Sequence, residues 1–131
     1  ALAALRHDRV LFVPAACSPF KENAATSDAG HRLSMLRCAL QDQPWAEIST
    51  SELDRGGCSY MIDTIEHLAS SIGEDTSMRL LIGQDQVADF DGWKRAEELM
   101  ALADPVVLPR SEAKAVPAAW ASSCSISGVW R

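Results

Sequence analysis

Three short apolar runs bounded by proline or glycine constrain this chain most. Residues 9–16, RVLFVPAA, are broken at Pro14; residues 78–82, MRLLI, run straight into Gly83; residues 105–108 open on Pro105. Unalternated runs of this length are what strands buried on both faces look like. A fourth strand is predicted at residues 45–49, after Pro44. Between the strands, apolar residues return at helical spacing. Leu33, Leu36 and Leu40 share a face, with Met35 and Ala39 close by, after a cap at Ser27 or Asp28. Ile62, Ile65, Leu68 and Ala69 do the same within residues 59–71, and a further helix is predicted over residues 93–102. Residues 50–57 read as a loop. Strand and helix therefore alternate, which predicts an α/β fold with a parallel sheet and helices on both faces. Such sheets bind ligands beyond the carboxyl ends of their strands.

The chain's 131 residues suit a single domain, 1–131, with residues 111–131 unplaced. A composition 47% hydrophobic and 23% charged is globular, not disordered. No apolar run approaches the roughly 20 residues that span a bilayer, and ALAALRHDRV lacks the plan of a secretory signal, so the cytoplasm is the expected location and no membrane is expected as partner. A net charge of −6 with no basic run argues against a nucleic-acid partner, but not against a small phosphate ligand. Cys17, Cys38, Cys58 and Cys124 contain no C-x-x-C pair and read as reduced, mostly buried thiols. His7, His31 and His67 have no metal-ligand spacing, and no protein-held metal is expected.

Chemistry would sit in the loops that leave the strands, and each candidate has two readings. Lys21 lies just past the first strand, where it could meet a phosphate or stay a solvated loop lysine. Asp85 follows MRLLI through Gly83; it could accept from ribose hydroxyls, help place a metal ion, or cap the next turn. Ser59-Tyr60 follow Gly56-Gly57. Glycines let a backbone approach a ligand closely, yet Ser59 as helix cap, with Asp63 in the first turn, would suffice. Trp93 could stack on an aromatic ring or fill the core, and His31-Arg32 could hold phosphate or be ordinary first-turn residues. There is no G-x-S-x-G elbow, Walker P-loop or G-x-G-x-x-G.

In order, these pieces resemble the bacterial nicotinate-nucleotide adenylyltransferases of the nucleotidyltransferase superfamily. VLFVPAACSPFK is similar to their strand, Pro and P-P-H-K loop; HRLSMLRCAL to their R-x-x-M-L-x-x-A helix. ISTSELDRGGCSYMIDTIEHL is similar to their E-L-x-R, S-Y-T and D-T-L stretch. LLIGQDQVADFDGWKRAEELMALADPVVLPR resembles their strand, G-x-D, F-x-x-W, helix and last strand ending in Arg. The resemblance, over roughly residues 9–110, implies a Rossmann-like doubly wound sheet. It also implies AMP transfer from ATP to nicotinate mononucleotide, giving deamido-NAD and pyrophosphate with Mg²⁺. By the same resemblance Lys21 holds phosphate, and Gly83 and Asp85 line the nucleotide pocket. Ser59, Tyr60 and the backbone of Met61 face the nicotinate end, Trp93 walls the ring, and Arg110 sits near the nucleotide phosphates or at the closing strand. A homo-oligomer is left open.

The chain departs from the family pattern in several places. Met61 stands where the family has Thr, Phe20 for the His and Ser18 for the first Pro of P-P-H-K. The family's H-x-G-H segment is not in the sequence, nor is its closing I-S-S-T-x-I-R clear in Ile126-Ser127-Gly128-Val129. The expectation is a fragment of a longer adenylyltransferase. An adenylyltransferase with another acceptor (nicotinamide mononucleotide or phosphopantetheine), and a non-catalytic nucleotide-binding remnant, stay as alternatives.

Overall fold

A computed structural model describes residues 8–17, 28–73 and 75–108. The chain divides into two compact units, Ala1–Tyr60 and Met61–Arg131.

In the first unit, β1 (Val10–Phe12) pairs in parallel with β2 (Ala46–Ile48), in the register Val10 to Ala46, Leu11 to Glu47 and Phe12 to Ile48. The pairing is extended at both ends, by Val10 N–H to the Trp45 carbonyl at 2.8 Å and Ser49 N–H to the Phe12 carbonyl at 2.9 Å. Arg9 and Glu47 form an ion pair beside it. Helix α1 (Ala29–Leu40) is started by Asp28, whose carboxylate accepts the His31 N–H at 3.1 Å. Of the two predicted caps, Asp28 is the one used. The face predicted from Leu33, Leu36 and Leu40 is only half-buried, and Met35 is 54% exposed.

The predicted loop at 50–57 instead holds a helical turn, α2 (Ser51–Arg55). Five residues are too few to show helical periodicity, so the pattern was invisible in the sequence. Glu52 on this turn is 3% exposed, the one fully buried residue among the described residues of this unit. Gly56 and Gly57 end the turn with φ of 67° and 73°, the left-handed region that an L side chain adopts only with strain.

In the second unit, β3 (Arg79–Gly83) and β4 (Asp104–Leu108) pair in parallel over their whole length, from Arg79 opposite Asp104 to Gly83 opposite Leu108. Here the core forms. Leu80 and Ile82 of β3, Val106 and Val107 of β4, and Ile62 and Ile65 of helix α3 (Met61–Ser71) are all buried. Val87 of the short helix α4 (Gln84–Val87), Phe90 of a 3-10 turn (Phe90–Gly92) and Leu99 of helix α5 (Ala96–Leu102) complete it. Each such side chain contributes about 1.5–3 kcal/mol by leaving water. The parallel strand pairs joined through helices are a Rossmann-like α/β arrangement. Among the described residues no helix is long and apolar enough to cross a membrane.

Two predicted helix starts move inward. The helix expected from residue 59 begins at Met61, because Ser59 is engaged elsewhere. The helix expected from residue 93 begins at Ala96, because Trp93 is extended and Arg95 is left-handed at φ 54°. The thiols also differ from expectation. Cys17 and Cys38 are exposed and Cys58 is half-buried, in a unit whose described residues include one fully buried side chain, Glu52; Cys124 is outside the described residues.

Candidate functional site

In the first unit the chain beyond β1 is gripped from two sides. The Arg32 guanidinium donates from Nη2 to the Ala15 carbonyl at 2.8 Å. From the other side, Ser59 Oγ accepts the Ala16 N–H at 3.1 Å, and the Ser59 N–H donates to the Cys17 carbonyl at 2.9 Å. Cys17 and Cys58 thereby form an isolated parallel bridge. The glycines that precede Cys58 thus serve first to turn the chain so that it lies beside the continuation of β1. Ser59 lies two residues before α3 and docks one loop on another. Arg32 does likewise, which answers its first-turn reading. Tyr60 follows, half-buried, as the last residue of this unit. Lys21 lies outside the described residues.

In the second unit Met61 opens α3, half-buried, so its backbone N–H is one of the four at a helix start without an intrahelical acceptor. Gly83 is both the last residue of β3 and the N-cap of α4, and Asp85 stands exposed in the first turn beyond the strand's carboxyl end. The Gln86 amide reaches one Asp85 oxygen at a long 3.4 Å. Arg110 lies outside the described residues.

Trp93 packs against the buried Phe90 ring, centroids 5.0 Å apart and planes at 34°. Its indole Nε1 is buried and has no hydrogen-bond partner among the described residues. A buried donor left unmade costs about 1–3 kcal/mol, which an acceptor on a bound molecule would recover. One face of Trp93 therefore packs on the core through Phe90.

The residues after Trp93 were not singled out in the sequence. Lys94 Nζ sits 3.0 and 3.1 Å from the two Asp63 oxygens, and Arg95 pairs with Glu66 at 2.7 Å and with Glu98 at 2.9 and 2.6 Å. Asp63 and Glu66, three apart, share one face of α3. That spacing was a legible signal; the left-handed backbone at Arg95 was not. The Glu98 carboxyl is held below its usual pKa, chiefly by the hydrogen bond from Arg95. Its contribution is thus present above the ordinary carboxylate range and fades as pH falls through the lowered value. These pairs are exposed and contribute little stability each. Their effect is local. The double substitution Asp63→Asn with Glu66→Gln is expected to leave the melting temperature nearly unchanged while amide exchange at residues 93–96 quickens several-fold, read by hydrogen-exchange mass spectrometry. Unchanged exchange there would show that the clamp does not hold the segment.

The cytidylyltransferase-like family pattern matches residues 1–128. The chain belongs to the cytidylyltransferase-like family. Among its curated relatives, a probable nicotinate-nucleotide adenylyltransferase of Thermoanaerobacter sp. (strain X514) is 38% identical over 103 residues, 79% of this chain and 49% of the relative. One from Gemmatimonas aurantiaca is 38% identical over 86% of this chain and 53% of the relative. One from Bordetella petrii is 37% identical over 93% of this chain and 60% of the relative. The chain spans about half the length of the curated relatives it matches. This family membership agrees with the resemblance drawn from the loop motifs.

Proposed function

We propose that this chain is part of a nicotinate-nucleotide adenylyltransferase acting in NAD biosynthesis in the cytoplasm. The observation that carries the reading is its 33–38% identity to curated proteins of that name over 76–93% of the chain. In the proposed reaction the phosphate of nicotinate mononucleotide attacks the α-phosphorus of ATP in line, and pyrophosphate leaves. Such a transfer is catalysed by positioning and by neutralising charge. Lys21 would neutralise phosphate, and Arg110 would serve the nucleotide phosphates. Gly83 would let the backbone approach the nucleotide, and Asp85, exposed beyond β3, would accept from its ribose hydroxyls.

At the pyridine end, Ser59 N–H is already spent on Cys17, which shifts the proposed carboxylate cradle onto the Met61 N–H at the start of α3, directly after Ser59 and Tyr60 in the chain. A backbone donor explains why methionine could stand in the family's threonine position. Trp93 would wall the ring, and its buried indole N–H, without a partner among the described residues, supports a ligand acceptor there. Nucleotidyltransferases of this kind use a divalent metal, proposed here as Mg²⁺. Asp85, exposed in the first turn beyond β3, is the carboxylate proposed to meet an ion carried in on the ATP phosphates. Bound there, the ion would offset phosphate charge.

The test is pyrophosphate release from Mg-ATP with nicotinate mononucleotide, beside nicotinamide mononucleotide and phosphopantetheine. Release with the first alone is expected. Release only with another acceptor would reassign the substrate. No release with any, while ATP still binds, would overturn catalysis by this chain and leave nucleotide binding.

A further inference from the structure

The sequence places Cys17 and Cys58 far apart, and the fold brings them side by side. They are direct partners in an isolated parallel bridge, tied by the Ser59 N–H to the Cys17 carbonyl at 2.9 Å. Neighbouring strands lie roughly 4.7–4.9 Å apart, and residues directly opposite each other put their side chains on the same face. A disulfide needs a Cα separation of roughly 4.4–6.8 Å, so the backbone spacing already suits one, with only a small approach of the two Cβ atoms still required. The local chain can supply it. The bridge is a single isolated one, and Cys58 follows Gly56 and Gly57, neither of which would meet another atom within 4 Å even if a Cβ were added. Access is also present: Cys17 is exposed, Cys58 is half-buried, and both are reduced thiols.

We propose that Cys17 and Cys58 form a dithiol–disulfide site that reacts with low-molecular-weight disulfides. The Cys17 thiolate attacks one sulfur of the oxidant, forming a mixed disulfide and releasing one thiol. The Cys58 thiolate then attacks the Cys17 sulfur, the protein disulfide forms, and the second thiol leaves. Two protein thiols are oxidised and one small disulfide is reduced to two thiols. The cross-link joins the end of the segment after β1 to the stretch that carries Ser59 and Tyr60, so it would fix the spacing of two loops assigned to substrate in the proposed function. The site itself rests on the bridge and not on that function, and its test reads thiols rather than turnover.

The experiment incubates the full chain, and a Cys38→Ser/Cys124→Ser variant, with oxidised glutathione under native conditions, then alkylates and measures intact mass and peptide maps. The expected result for the variant is loss of both alkylatable thiols, an intact mass lower by two hydrogens, and a Cys17 peptide joined to a Cys58 peptide until dithiothreitol releases them. In the unsubstituted chain the same peptide pair should be the main cross-link, which guards against a variant that folds poorly. Glutathione retained on Cys17 with Cys58 still alkylatable, a cross-link involving Cys38 or Cys124 instead, or a disulfide between two chains would each overturn the proposal. So would no reaction.

Discussion

Phe90→Ala is expected to destabilise the second unit by about 3–5 kcal/mol, the cost of emptying a filled aromatic site. Phe90 is 1% exposed and among the largest side chains that are wholly enclosed. It sits on the 3-10 turn between α4 and α5, so its loss leaves a cavity in the core of this unit. Domains hold only about 5–15 kcal/mol in total, which makes this substitution capable of unfolding much of the population at ordinary temperature. Urea denaturation measures it. Phe90→Leu, which keeps most of the volume, should cost roughly 1.5 kcal/mol or less. Met35→Ala, at a side chain 54% exposed, should fall within about 0.5 kcal/mol of no change. A Phe90→Ala protein as stable as Met35→Ala would mean that the core is not centred here. Because the Phe90 ring supports Trp93 at 5.0 Å, any ligand contact that Trp93 makes should weaken in step with this core.

Hydrophobic runs made the strands legible. MRLLI became β3 with Leu80 and Ile82 buried, and the Pro105 run became β4. Ile62 and Ile65, spaced for a helix, are buried on α3. What the sequence hid was short or conformational. The five-residue turn α2 carries no full period, and the left-handed Arg95 holds, besides its local pair with Glu98, an ion pair to Glu66 that only tertiary structure brings together. Ser59 shows the limit for sites. Its residue type fitted a cap or a ligand contact, and the partner that makes it a loop tie, Ala16, lies 43 positions away. The pairing of Cys17 with Cys58 was hidden for the same reason: cysteine spacing along a chain reports local chelation, not cross-strand register. Residue type therefore marked where chemistry could occur, while long-range pairing decided which of the competing uses each residue has.

Asp85→Ala is expected to weaken ATP binding by about 10- to 100-fold while leaving the fold intact, because a charged acceptor lost from a ligand costs about 1.5–3 kcal/mol and every 1.4 kcal/mol is tenfold. Asp85 is exposed, so no core packing is lost with it, and it lies in the first turn beyond the carboxyl end of a parallel strand, where a nucleotide would meet it. The competing use is structural. A carboxylate at a helix start interacts favourably with the backbone N–H groups there, an effect of about 0.3–1 kcal/mol. The two uses separate in one pair of measurements, ATP titration calorimetry and urea denaturation on the same variant. Weakened ATP affinity with unchanged stability assigns Asp85 to the nucleotide. Unchanged affinity with a small loss of stability returns it to the start of α4 and removes it from the site. Asp85→Asn sharpens the distinction. Asparagine keeps a neutral oxygen suited to a helix start but loses the charge, so a structural role survives the change, whereas a carboxylate accepting from two ribose hydroxyls does not.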